Sequence, residues 1–259
     1  MELKAIREKG IWLAPLILAI VLWELVAVQV VKDPVLLPPF SRVIFSFYLL
    51  REVIILDILA SLVHFSMGLA LAFSVAFPLA ICIGWFQNVF KVLDPIIEIL
   101  RPIPPLAWIP FAIIWIGLNP FAAGFIIFIG AFFPILITSY TGFKDVPKIL
   151  IDAGKVLGCT GDKKLIRYVA LPYALPSVAV GTRVGMGVGW MCVVAAEIFG
   201  VGMYGLGFRI FNEFIYWKEM DFIVAYMLIL GLVALVLDRF LRHFVENKLF
   251  KWKKGIVRQ

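Results

Sequence analysis

Ile151-Asp152-Ala153-Gly154-Lys155-Val156-Leu157-Gly158-Cys159-Thr160-Gly161-Asp162-Lys163-Lys164-Leu165-Ile166-Arg167-Tyr168-Val169-Ala170-Leu171-Pro172 is a basic, helix-forming stretch lying between two long apolar segments. Asp145 is placed to cap a helix with Pro147 in its first turn, where a missing N–H does no harm. Leu150, Ala153 and Leu157 then share one face at i, i+3 and i+7, beside Ile149 and Val156. Ala153 and Gly154 allow another surface to approach closely. Gly158 is a C-terminal stop. A second short helix is expected from about Asp162, carrying Leu165, Ile166 and Val169 and ending before Leu171-Pro172. The result is a compact helix–turn–helix, apolar enough to pack and small enough to enter a groove. A pair of helices lying on lipid headgroups has the same composition.

The flanking sequence sets the class. The chain has 259 residues, of which 63% are hydrophobic and 16% charged, with a mean hydropathy of +1.02. Soluble domains carry about 25% charge, so this is an all-α integral membrane protein. The net charge of +7 reflects basic residues flanking membrane spans rather than nucleic-acid binding. Cys82, Cys159 and Cys192 are scattered and form neither a disulfide framework nor zinc spacing, and Cys82 and Cys192 read as small core residues.

Apolar runs predict six transmembrane helices in a single domain over residues 1–259. The first runs from Ile11 to Val31, about 31 Å as a helix, enough for a hydrocarbon core of about 30 Å. Lys4, Arg7 and Lys9 precede it as in a signal peptide. Its apolar run is longer than an h-region and no small-residue cleavage site follows, so a retained helix is expected. A short interfacial helix follows around Ser41 to Leu50. The remaining spans lie near Ile58–Trp85, Ile96–Leu118, Phe121–Gly142, Leu175–Phe199 and Phe222–Phe244. Lys and Arg concentrate in the N-terminal tail, in the loop of residues 144–172 and in the C-terminal tail from Arg239 to Arg258. With six spans these lie on one side, which places both termini and the loop in the cytoplasm. The opposite side keeps Lys32, Arg42, Arg51, Arg209 and Lys218.

Asp152, Ala153, Gly154, Gly158 and Leu171-Pro172 resemble the EAA loop of type I, binding-protein-dependent ABC importer permeases. Asp152 stands where Glu is usual and Gly154 at the second Ala. The run from Gly158 to Leu171 is one residue longer than the pattern. Leu100-Arg-Pro-Ile-Pro-Pro-Leu-Ala-Trp-Ile-Pro110 and its continuation to Gly117 resemble the nitrate/sulfonate/taurine/bicarbonate branch. So do Ala174-Leu-Pro-Ser, Gly181-Thr-Arg, Gly189-Trp190, Ala195-Ala-Glu and Gly205-Leu-Gly. The resemblance implies a type I permease fold, in the cell membrane, whose loop docks on a cytoplasmic ABC ATPase dimer. It also implies an external solute-binding protein and a second permease copy, two identical copies supplying two docking loops. ATP and Mg would then be bound by the ATPase and no cofactor by this chain. Consistently, no G-x-x-x-x-G-K-[ST] is present, and Gly158-Cys-Thr-Gly-Asp-Lys-Lys has the wrong spacing for one.

Several residues inside the spans are candidates for the pathway. Arg101 is followed by Pro102, Pro104, Pro105 and Pro110. Proline removes donors and breaks helices, and freed carbonyls must be buried in protein or line a wet path. A broken helix can form a gate or a rigid kink. Arg183 and Glu197 lie on the fifth span about 21 Å apart, too far to pair within one copy. Either they belong to intersubunit or interhelix ion pairs, or Arg183 attracts an anionic solute and Glu197 a cation. Glu24 and His64 also fall within spans, His64 as a packing or hydrogen-bonding residue. Asp94 and Glu98 are expected at a solvated membrane edge. Gly181, Gly185 and Gly189 form a smooth stripe for helix packing, within the subunit or against a second copy lining the pathway.

The expected function is translocation of a small anionic solute, driven by a separate ATPase. An ATPase-independent carrier or channel is the alternative, and a membrane anchor without transport a weaker one. Ion coupling predicts paired midplane acids and inverted repeats. Neither is seen, and the docking-shaped loop would then be unexplained.

Overall fold

The computed structural model describes residues 2–199 and 204–244. They are helical, with no strand among them. Five stretches are long and apolar enough to span a membrane: Ala14–Val31, Arg51–Trp85, Pro120–Lys144, Asp162–Ile198 and Met220–His243. Gln87–Leu100 and Pro105–Ile116 form a pair bent by 90°, which counted together is a sixth span. The six-span reading therefore holds with its third member broken. The C-terminal cations Lys248, Lys251, Lys253, Lys254 and Arg258 lie outside the described residues.

We label the helices α1 (Glu2–Leu25, extended by a π turn Val26–Val31), α2 (Phe40–Leu49), α3 (Arg51–Trp85), α4 (Gln87–Leu100) and α5 (Ile109–Ile116). Then follow α6 (Pro120–Lys144), α7 (Lys148–Val156), α8 (Asp162–Leu165), α9 (Leu171–Ile198), α10 (Leu206–Arg209), α11 (Ile215–Trp217) and α12 (Met220–Phe244).

α3, α6 and α9 make the centre of the bundle. Lipid gives helices no hydrophobic reason to associate, so close van der Waals packing between small residues has to hold them. Ala72, Ala76 and Ala80 of α3 and Ala123 and Ala131 of α6 are fully buried. A Cβ on Gly68 would lie 2.6 Å from the Gly124 carbonyl oxygen, so α3 and α6 touch backbone to backbone. The glycine stripe of α9 does the same. A Cβ on Gly185 would meet the Ala131 carbonyl oxygen at 2.8 Å, and one on Gly181 would meet Thr138 Cβ at 2.9 Å. At Gly189 the nearest atoms, from Ala131 and Ile127, would be 3.4 Å away. The stripe thus packs within the subunit, on α6.

The outer helices attach through polar contacts. Trp190 Nε1 of α9 donates to the Leu230 carbonyl of α12 at 3.1 Å. From Ala14 onward α1 is largely exposed, and Trp23 Nε1 donates at 3.0 Å to the carbonyl of Pro38, just ahead of α2. Glu24 accepts from the amide and hydroxyl of Ser41 at 3.1 and 2.8 Å, which satisfies first-turn donors of α2. This gives the charge of Glu24 a protein partner.

Four sequence expectations change. α3 begins at Arg51, seven residues before Ile58, and so includes Asp57. α4 begins at Gln87 rather than Ile96, because Val89, Phe90, Leu93 and Ile97 pack on the α3–α6 core. The second helix of the loop does not stop before Leu171-Pro172 but runs into α9 through a π turn at Ile166–Ala170. The Leu171 amide donates to the Ile166 carbonyl there, five residues back, and Pro172, which has no N–H to give, follows directly after this π turn. Cys82 is exposed, whereas Cys192 is buried as expected.

Candidate functional site

Two features stand out against this frame: a helical hairpin at one end of the bundle, and a cationic cavity beside the broken third span.

The hairpin spans the connection from α6 to α9. Asp145 does not cap α7. Its amide still donates to Thr141 in the last turn of α6, and Pro147, with extended ψ, is the residue from which α7 starts. Gly158 has φ +93°, a left-handed conformation that side chains disfavour. Its amide donates to Lys155 and that of Cys159 to Gly154, both at 3.0 Å, which closes the helix in a C-terminal turn. Gly154 is buried where the two arms meet: a Cβ there would lie 2.8 Å from Val169 Cγ2. Asp152 and Lys155 face solvent 3.8 Å apart, a surface pair of little energetic weight.

The outward face of this hairpin is apolar. Val156 and Leu157 are 87% and 85% exposed, and Ile149 75%. Beside them lies a groove of about 590 Å³ formed by Leu150, Ala153, Gly154, Leu157, Val169 and Tyr173, with Pro172 at its edge. Lys148, Lys155, Lys163, Lys164 and Arg167 belong to the same hairpin. An exposed apolar patch with a charged rim marks an interaction surface.

The second feature is built by the break after Leu100. Arg101 is the last residue in α geometry. Pro104 is extended, and Pro105 opens a 3₁₀ turn. Arg101 therefore lies at the corner of the 90° bend. It borders two cavities. One, of about 350 Å³, is lined by Ile103, Pro105, Gly130, Phe133, Thr138 and Val188 among others. The other, of about 590 Å³, contains Asp94, Glu98, Pro102 and Tyr140. Asp94 and Glu98 thus face a cavity as well as the bundle end.

The remaining intramembrane charges are matched. Arg183 Nε and Nη2 donate to Asp238 of α12 at 2.6 and 2.9 Å, an interhelix ion pair. Glu197, 1% exposed, accepts from Ser61 Oγ at 3.0 Å and from the Gly207 amide at 2.8 Å. His64 Nδ1 lies 2.9 Å from its other oxygen. Arg183 and Glu197 are therefore held by protein groups and do not converge on the Arg101 cavities.

Sequence reasoning missed the network to which Glu197 belongs. Asp57, fully buried, accepts from Arg209 Nε at 2.5 Å, Tyr226 OH at 2.6 Å and the Gly205 amide at 3.2 Å. Ser61 Oγ accepts from the Leu206 amide at 2.9 Å. Arg209, expected on a solvent-facing loop, is buried. The available signal was Asp57, Ser61 and His64 at i, i+4 and i+7, one polar face on an otherwise apolar helix. Gly205 has φ +144°, and a Cβ on it would meet Glu197 Cδ at 2.6 Å. The network clamps the 204–209 segment onto α3, α9 and α12.

An all-α bundle of six spans, with an apolar hairpin at one end and a charged cavity within, has the makings of a membrane transport subunit. The comparisons agree. Residues 68–248 match the binding-protein-dependent transport system inner membrane component family, and the chain belongs to that family as a multi-pass protein of the cell membrane. A Methanocaldococcus jannaschii protein, named among the ABC transporter permeases, is 44% identical over 92% of this chain and 90% of its own length. The bicarbonate transport system permease protein CmpB of Synechococcus elongatus is 36% identical over 70% of this chain and 65% of its own. The taurine transport system permease protein TauC of Escherichia coli is 30% identical over 95% and 90%. Inward-facing MetNI, a methionine ABC transporter, superposes with a TM-score of 0.59 at 20% identity, covering 74% of this chain and 96% of that one. It supports the fold.

Proposed function

We propose that this chain is the translocating subunit of an ATP-driven importer for a small anionic solute delivered by an external binding protein. The observation that carries the reading is the apolar hairpin tip, with Ile149, Val156 and Leu157 exposed outside the membrane-spanning stretches on a lysine-rich hairpin. Such a surface suits the groove of a cytoplasmic ATPase. The residues Asp152, Ala153, Gly154, Gly158, Leu171 and Pro172 then form the coupling element. ATP and Mg belong to the partner, which two copies of this chain would engage as a symmetric pair. Relatives named for bicarbonate and taurine transport favour an anion as cargo.

Affinity purification of tagged chain from membranes that also contain untagged chain tests this reading. Recovery of a P-loop ATPase together with the untagged copy is expected. A chain that transports solute without any ATPase would establish the carrier reading instead.

The orientation has its own test. The positive-inside rule, applied to the basic hairpin and N-terminal tail, supports a cytoplasmic position for this end of the bundle. Cys159, partly exposed at the hairpin turn, is expected to react with a membrane-impermeant maleimide in inside-out vesicles and to stay unlabelled in sealed, right-side-out cells. Labelling in intact cells would overturn the topology.

A further inference from the structure

We infer that Arg101 is the anion-selective site of the translocation path, and that the cavity of Gly130, Phe133, Thr138 and Val188 holds the anion against it. The inference rests on the importer reading for its transport role, but its chemistry stands on geometry. Arg183 is matched by Asp238 and Arg209 by Asp57. The Arg101 guanidinium makes no hydrogen bond or ion pair with any described residue, and Arg101 is exposed. An intramembrane cation without a protein partner faces a water-filled cavity.

The depth is set by the partners. Ile129, Phe133, Pro134 and Thr138 line the cavity and occupy the middle and loop-side parts of α6. Val184 and Val188 line it from the middle of α9. The proline-broken backbone keeps the helix from continuing past Arg101 and turns its side chain position to the corner between the two cavities. Its volume of about 350 Å³ is near the lower bound of small-molecule sites, about 300 Å³. It suits a small oxyanion with part of its hydration shell.

The wall opposite in charge is just as informative. Apart from Arg101 the cavity presents one polar side chain, the Thr138 hydroxyl, against apolar walls. Low-dielectric walls focus the field of a single charge. Asp94 and Glu98 line the second cavity, on the other side of Arg101. Their charges disfavour an anion in that second cavity. The pair thus makes Arg101 a holding point, and release requires the bend to rearrange.

The test needs no knowledge of the natural solute. In full-length chain carrying Cys82→Ser, Cys159→Ser and Cys192→Ala, Thr138→Cys places a thiol in the cavity. Its rates of reaction with anionic 2-sulfonatoethyl methanethiosulfonate and cationic 2-trimethylammonioethyl methanethiosulfonate are compared in membranes. With Arg101 present the anionic reagent is favoured. Arg101→Gln is expected to shift the ratio toward the cation about tenfold, the scale of one unit charge a few ångströms away in a partly hydrated site. Arg101→Lys should retain most of the preference. Val184→Cys, on the facing wall, repeats the measurement if Thr138→Cys does not yield folded protein. An unchanged ratio in Arg101→Gln overturns the proposal, as does a thiol that neither reagent reaches. Failure of the importer reading would show separately, as absence of an ATPase in the purification above.

Discussion

Arg209→Met is expected to destabilise the bundle by about 3–5 kcal/mol, the cost of leaving a buried carboxylate without its counter-charge. Asp57 is fully buried and its closest partner is Arg209 Nε at 2.5 Å. For a chain of this size that loss corresponds to a fall of roughly 6–20 °C in melting temperature, read by size-exclusion fluorescence of heated, detergent-purified protein. Asp57→Asn combined with Arg209→Met should recover much of it. The neutral amide keeps one acceptor, its Oδ1, for the Gly205 amide 3.2 Å away, and its NH2 can donate to the Tyr226 hydroxyl oxygen 2.6 Å away, while the unpaired charge is gone. A single Arg209→Met variant that melts with the wild type would mean that water reaches Asp57 and that the network is not closed. A double variant as damaged as the single would locate the stability in the geometry of Arg209 rather than in its charge.

That network also marks the limit of what could be read from the chain. Periodic and apolar features were legible, since helix packing follows local spacing. The stripe of Gly181, Gly185 and Gly189 announced a close helix contact, although not that α6 would fill it. The proline run after Arg101 announced a break, although not a 90° bend. Pairings between distant segments were not legible. Asp57 and Arg209 are far apart in sequence, and each lies near a span boundary where a charge reads as solvated. Arg183 was legible as a costly intramembrane charge, but its partner Asp238 is on another helix. Asp145 had the right residue type for a cap. The helix starts instead from Pro147, two residues further on, while Asp145 still closes the last turn of α6, a boundary that sequence spacing does not reveal.

The hairpin is where structure and proposed function meet most directly, and Gly158→Asp is expected to abolish solute-stimulated ATP hydrolysis while the spans insert normally. A Cβ on Gly158 would meet nothing within 4 Å, so no clash arises inside the chain. The penalty is in the backbone. At φ +93° an L side chain costs about 1–3 kcal/mol, and the carboxylate at a helix C-terminus adds about 0.3–1 kcal/mol. Together these are too small to unfold a multi-span bundle. They are large enough to shift the turn that fixes α7 relative to α8, through the Gly158 and Cys159 amide bonds. The open space around Gly158 is also where a docked partner would sit, so the new side chain would enter that interface. Gly161→Ala is the control. Gly161 has φ 173° and open surroundings, a conformation any residue adopts, and the variant should hydrolyse ATP at the wild-type rate. The measurement is ATPase activity of the reconstituted complex, with insertion checked by protease protection. A Gly158→Asp variant that binds its ATPase and transports at the wild-type rate would remove the hairpin from the coupling path. The exposed apolar face of α7 would then be assigned to the membrane surface, with its lysines at the headgroups.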